Sequence, residues 1–361
     1  MATNVGIARR RARLTGGFAP QVAAGAPPTE QHAIAEIRWF PVREPVSGTR
    51  YTMVRVKTRS GLTGWGECAQ ASEQDARALE KDWIGRPATL YTAIDGSTPL
   101  AGALDMAMLD ILGKACRAPV YRVLGGPTRS KVRAFTDSAA APGFGAVAVR
   151  VPQPAARNQG QAYQNQVLAL VKQLGDERDF VLDAHGRLTP GDAASVAAAV
   201  ESSHPLWFDE PCSVSNLEVV RKISAETVTP LGFGRGIGDP GVFQALLREG
   251  LVDVVRPDIS VYGISGARRI AVLAETYYVA VAPHHDGGPV ATAAALQLAA
   301  SIPNFFIQHV PRPEDAADRE MRAALVSAGL ETAHDGFLEL PRGPGLGIEV
   351  SERALEKYDA A

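Results

Sequence analysis

The chain has 361 residues, 46% of them hydrophobic and 21% charged, with a formal net charge of −2 at pH 7. That length exceeds one ordinary domain and the composition is that of a soluble globular protein with ample core, while the small charge gives no electrostatic case for nucleic acid or a membrane surface and no apolar run is long enough to cross a bilayer. Cys68, Cys116 and Cys212 are few, odd in number and far apart, so they read as buried thiols of a reducing cytoplasm rather than as disulfides or a metal knuckle.

Residues 1–33 read as a flexible tail. Arg9, Arg10, Arg11 and Arg13 cluster ahead of Gly16-Gly17, and an Ala/Gly/Pro-rich run covers Ala23 to Pro28. An arginine pair can open an export signal, but an apolar segment must follow it; here Thr15-Gly16-Gly17 and Pro20 follow. Three β-rich runs come next, Ile34 to Phe40, Tyr51 to Thr58 and Thr63 to Glu67, separated by turn signals. They predict a small antiparallel sheet. The polar stretch Val42 to Arg50 is a plain hairpin connection or a loop that closes over a site. Helical patterns follow from Ser72 to Trp83 and from Leu100 to Ala118, the second with Leu104, Met108, Ile111 and Leu112 on one stripe. Tyr121 to Pro127 breaks the pattern.

Beyond Pro127, apolar runs end in polar residues at a regular interval. Phe180-Val181-Leu182 leads into Asp183, with Ala184-His185-Gly186-Arg187 after it. The same design recurs at Asp209, Arg235, Asp258, His284 and His309, in steps of 26, 26, 23, 26 and 25 residues. One strand, one helix and two short loops fill such a step, the unit of a parallel (β/α)8 barrel. Strand ends of one kind converge on one face, and in such barrels that face carries the active site. A single acid after a strand is equally well a turn or a helix cap; repetition favours a site. The second barrel strand is Ala146 to Val151, and the link to it from Val132-Arg133-Ala134-Phe135 has only about ten residues, including Pro142, Gly143 and Gly145. A parallel crossover normally takes about a dozen or more. The first barrel helix is therefore expected to be missing or vestigial, with the N-terminal tail a candidate to cover the gap.

These segments resemble the mandelate racemase branch of the enolase superfamily, from about Ile34 to Tyr358. The resemblance rests on Gly64-Trp65-Gly66-Glu67, Ala103 to Ile111, Leu124-Gly125-Gly126, Asp183-Ala184-His185-Gly186-Arg187, Asp209-Glu210-Pro211, Val252 to Asp258, Ala282-Pro283-His284 and Gly343-Pro344-Gly345-Leu346-Gly347, in that order. It implies an α/β fold, with an α+β capping domain over residues 34–127 and a modified (β/α)8 TIM barrel over 128–330. A C-terminal segment, 331–361, returns to the cap. Members bind Mg²⁺, abstract a proton next to a carboxylate and commonly form symmetric assemblies. A small-molecule carboxylate substrate and a homo-oligomer are thus the implied partners.

Removing such a proton places a second negative charge on the enediolate. A divalent cation held by carboxylates stabilises that charge while a Lys or His takes the proton, a pairing for which this superfamily is itself the standing example. By resemblance, Asp183 and Asp209 take the first two metal-ligand positions, Asp209 being a methylene shorter than the more usual Glu, with Glu210 beside it. His284 and Asp258 match the base dyad, with His285 in support. His185 resembles the histidine that protonates a departing hydroxyl in galactonate- and mannonate-type dehydratases, or is a ligand-binding group.

Three departures bear on this. Ala148 replaces the first Lys of a Lys-x-Lys pair, which argues against two-base racemisation and leaves Arg150 to bind a carboxylate. His309 stands where relatives carry Glu, to donate to the substrate carboxylate or to fill space. Arg235 stands at the third metal-ligand position, and guanidinium offers only donors. If it points inward it forks onto Asp183 or Asp209, and Mg²⁺ binding is weak or absent. Two function classes follow: an acid-sugar dehydratase using Asp183, Asp209, His284, Asp258 and His185, or a metal-deficient barrel with a binding or partner role. Racemisation or epimerisation is a weaker third.

Overall fold

The computed structural model describes residues 32–94, 96, 100–155, 160–175, 178–327 and 329–360. The expected N-terminal tail lies outside them but for His32 and Ala33. Strands β1 (Ile34–Arg43), β2 (Arg50–Thr58) and β3 (Thr63–Cys68) form an antiparallel sheet in that order. Helix α1 (Glu73–Trp83) opens on a reciprocal cap: Ser72 Oγ accepts from the Asp75 amide at 3.2 Å, and the Asp75 carboxylate accepts from the Ser72 amide at 3.0 Å. Helix α2 (Ala101–Ala115) is buried on every face from Ala101 to Ile111, not on the single expected stripe. It is clamped between the sheet and the barrel. A Cβ on Gly64 or Gly66 would lie 2.0 Å from Ala107 O or 1.8 Å from Ala103 O, so the Gly-Trp-Gly-Glu motif is what lets the sheet lie directly on the helix. Cys68 and Cys212 are buried as expected, but Cys116 is exposed because it follows the last turn of α2. A short helix, α3 (Val120–Val123), leads out of the cap.

Strands β4 (Lys131–Thr136), β5 (Ala146–Arg150), β6 (Asp179–Asp183), β7 (Phe208–Asp209), β8 (Leu231–Phe233), β9 (Val254–Val255) and β10 (Ala280–Val281) pair in parallel, each with the next, and β11 (Gln308–Val310) pairs with β4. The ring closes where Phe306 N donates to Val281 O at 2.8 Å and Val281 N to Asn304 O at 2.9 Å. Helices α4 (Gly160–Lys172), α5 (Pro190–Val200), α6 (Leu217–Glu226), α7 (Pro240–Arg248), α8 (Ile259–Glu275), α9 (Pro289–Ala299) and α10 (Ala316–Leu325) follow β5 to β11 in turn. No helix follows β4: residues 137–145 cross to β5 in turns. The space is taken from the C-terminal side, where β12 (Phe337–Glu339) pairs antiparallel with β4, Ala134 N donates to Gly336 O and Gly336 N to Gly143 O. After β12 comes α11 (Glu352–Lys357), and the chain then returns to β1, with Ala360 N donating to Pro41 O.

The barrel is plugged by Phe135, Ala146, Ala148, Val181, Trp207, Val254, Ala282 and Ile307. Side chains in a strand alternate, so residues two places beyond these face inward at the C-terminal mouth. They are Asp137, Arg150, Asp183, Asp209, Arg256, His284 and His309.

Candidate active site

Asp183 and Asp209 sit side by side at the ends of β6 and β7, both buried. Asp183 Oδ1 accepts from the His185 amide at 3.0 Å, and its Oδ2 lies 3.0 Å from both Arg235 Nη1 and His185 Nε2. His185 has left the strand, at φ 52°, so its ring reaches Asp183 by a left-handed turn and not by strand alternation. Asp209 Oδ1 accepts from Trp207 Nε1 at 2.8 Å, and its Oδ2 pairs with Arg256 Nη1 in an ion pair with both side chains 0% exposed. Gly232 makes room for that indole, since a Cβ there would lie 2.2 Å from Trp207 Cδ1.

Arg235 points inward. Besides Asp183 it reaches His284, with Nε 3.1 Å from the imidazole Nε2, and its backbone amide donates to Glu210 Oε1 at 2.8 Å. Glu210, at φ 44°, also accepts from Gly234 N at 2.7 Å, so it holds the loop that carries Arg235. Burial, and then the charge of Asp209, push the Glu210 carboxyl up to about 7. Burial works to raise Asp183, but the His185 hydrogen bond and the charge of Arg235 outweigh it and hold this carboxyl well below its ordinary range. Asp209 is raised by burial, which the charge of Arg256 opposes.

His284 lies fully buried between two guanidinium groups, with Nδ1 3.2 Å from Arg256 Nη2 and Nε2 also 3.3 Å from Asp286 Oδ2. Neutral imidazole has one acceptor nitrogen, so it cannot accept from both arginines at once. Burial and then the charge of Arg235 drive its pKa well below the ordinary histidine value. The expected His284–Asp258 side-chain dyad is not what the geometry shows. Pro257 ends the strand, and the Asp258 carboxylate caps α8 by accepting from Ser260 N at 2.8 Å. Burial raises it to about 6. Asp258 meets His284 only through main chain, the Ile259 amide donating to His284 O at 2.8 Å. His285 is buried beside Thr292.

At the same mouth, His309 Nε2 lies 3.2 Å from Asp137 Oδ2, and Arg150, with 58% of its side chain exposed, is 3.6 Å from Asp137 Oδ1. The mouth therefore gathers Asp183, Asp209, Arg235, His185, His284, His309 and Arg150, and leaves the carboxylate of Asp258 on a helix end. Asp137, Trp207, Arg256 and Asp286 were not singled out from sequence. The first three carried a signal all the same: each lies on the inward period of its strand.

These residues do not fit the Mg²⁺ on which enolase-superfamily members typically rely. All four oxygens of Asp183 and Asp209 already receive protein donors, and the third position is a guanidinium. His284, Asp286 and His309 bring ligand-type atoms within 4.8 Å of one another. Their two imidazoles, however, are stacked at 5.2 Å with planes 11° apart. Lone pairs lie in the ring planes, so parallel stacked rings do not aim at one ion.

A closed parallel barrel under an α+β cap, with acids and histidines at its strand ends, has the architecture of the enolase class. Residues 131–354 match the family model described as enolase C-terminal domain-like, and residues 41–125 match the mandelate racemase/muconate lactonizing enzyme N-terminal domain. The chain belongs to the mandelate racemase/muconate lactonizing enzyme family. It is 31% identical to a D-galactonate dehydratase family member of Streptomyces bingchenggensis, across 86% of this chain and 90% of that protein. It is 28% identical to a D-gluconate dehydratase of Thermoproteus tenax, across 85% and 69%. The crystal structure of a mandelate racemase/muconate lactonizing enzyme from Sulfitobacter sp. has a TM-score of 0.80 at 26% identity, covering 91% of this chain and 96% of that one.

Proposed function

We propose that the protein binds an acid sugar of the aldonate type at the barrel mouth, and that Arg235 replaces the divalent cation there, disabling metal-dependent dehydration. The observation that carries this is the position of Arg235, with its guanidinium on Asp183 Oδ2 and against His284 Nε2 at once. The same group thus supplies the positive charge between the acids, covers the nitrogen that would receive a proton and lowers its basicity. Arg150, largely exposed and in register with Asp183 on the neighbouring strand, can fork onto a ligand carboxylate. Relatives named as galactonate, gluconate and xylonate dehydratases support the ligand class. Symmetric assembly of copies belongs to the same proposal.

A screen of aldonates tests it, read by thermal shift, dehydration, metal content and solvent deuterium exchange at the α-carbon. The expected result is a ligand that raises Tm without exchange, turnover or stoichiometric Mg²⁺. Dehydration with one bound Mg²⁺ would instead establish the second reading, a working hydro-lyase in which Arg235 swings outward. The placement of His185 and His284 on either side of Arg235 favours that reading. Under it, His284→Asn abolishes exchange and turnover, while His185→Asn spares exchange and stops dehydration.

A further inference from the structure

Beside the start of α9, between α10 and residues 329–332, lies a cleft of about 360 Å³ that none of the mouth residues line. Its cations are Arg312, Arg319 and Arg322, and its acids are Glu320 and Glu331. Arg322 is buried and neutralised, donating from Nε to Glu44 Oε1 at 2.6 Å and from Nη1 to Glu331 Oε1 at 2.9 Å. Glu331 is engaged further by Thr292 Oγ1 at 2.9 Å. Arg312 and Arg319 differ: both are partly buried, and neither forms an ion pair among the described residues. Arg319 is steadied by carbonyls, its Nη1 donating to Pro313 O at 3.1 Å and to Glu314 O, which orients the guanidinium without neutralising it. Burial and then the charge of Arg319 hold the Arg312 guanidinium below its ordinary range, although the charge of Glu331 works the other way. Glu320, exposed on the rim, pairs with neither among the described residues.

Two adjacent, partly desolvated cations repel each other, and an anion between them relieves both the repulsion and the unmet hydrogen-bonding capacity. Guanidinium forks match paired oxygens of phosphate and carboxylate, and a cleft of this size is in the range of small-ligand sites. We propose that the cleft binds a small, multiply charged oxyanion, a phosphate or a polycarboxylate, through Arg312 and Arg319. The site is separate from the barrel mouth and does not depend on how the mouth is read.

Isothermal titration of the full-length protein with inorganic phosphate, and separately with citrate, tests this in a chloride buffer. Saturable binding of at least one anion is expected, weakened about tenfold or more by Arg312→Ala and by Arg319→Ala, the loss of a charge-assisted hydrogen bond. Arg77→Ala, on the exposed face of α1, should leave it unchanged. The Arg312 side chain makes no hydrogen bond among the described residues, so its removal tests binding with little risk to the fold. No saturable heat from either anion overturns the proposal. So does equal binding by every variant, the mark of an adventitious ion only, or loss on Arg77→Ala alone.

Discussion

Asp209 shows why reversing Arg235 is not enough to restore a metal. Sequence alone suggests that Arg235→Glu strengthens Mg²⁺ binding by returning a third oxygen ligand. In the folded chain Arg256 and Trp207 still hold both oxygens of Asp209, so the expected gain from Arg235→Glu is small and that from Arg235→Glu with Arg256→Gln is large. Calorimetric Mg²⁺ titration checks this, and equal affinity in the two variants would refute the role given to Arg256. Arg256→Gln alone strands a buried carboxylate and should cost about 3–5 kcal/mol in urea unfolding. His284 gives a second prediction. Its folded pKa lies well below the ordinary 6.5, so the unfolded chain takes up the proton first. The stability it contributes is present above about pH 6.5 and is lost as pH falls through that value toward the folded pKa. Its NMR signals should remain those of neutral imidazole at pH 6, and Arg235→Ala should move the titration upward. An imidazolium already formed at pH 6 in the unaltered protein would contradict the two-arginine account.

Between elements, the cap is fastened to the barrel by buried acids. Glu67, at the end of β3, accepts from the amide of Gly288 and from those of Val290 and Ala291 at 3.1 and 3.3 Å, thereby closing the N-terminus of α9. The loop after β1 is held in the same manner: Asp318 of α10 accepts from the Val46 and Ser47 amides at 2.8 Å each, while Arg322 binds Glu44. Burial lifts the Glu67 carboxyl from 4.5 to about 7. An acid raised on folding is protonated in the native state and ionised in the unfolded one across that window, so stability is greatest below about pH 4.5 and falls as pH rises to 7. The part due to Glu67 is about 3 kcal/mol. Glu67→Gln should lower stability at acid pH and flatten its decline toward pH 7, as read from urea midpoints at pH 5 and pH 8. An unchanged slope would show that Glu67 ionises normally.

At the scale of the whole molecule, the C-terminal segment does the work of the missing barrel helix. Gly143, at φ 81°, lies so close that a Cβ would sit 1.9 Å from Ala333 O. Gly143→Val therefore forces the crossover away from residues 333–339 and strains the backbone, and a loss of about 3 kcal/mol or more is expected. Hydrogen exchange should rise together in β4 and β12. A variant as stable as the parent would mean that this packing contributes little.

Much of this was legible in the chain itself. The 23–26-residue step of apolar runs ending in polar groups predicts the barrel, the three β-rich runs separated by turn signals in residues 34–67 predict the cap sheet, and the short link before Ala146 predicts the absent helix. Local periodicity suffices for these because strand and helix repeats are set by neighbouring residues. The partners within the site were not legible. Whether Asp258 turns toward His284 or caps α8 depends on Pro257 ending the strand, and whether Asp209 is free depends on Arg256, 47 residues away. Side-chain pairing across a barrel is decided by which strands become neighbours, and only the closed ring brings Arg235 and Arg256 to the two sides of His284.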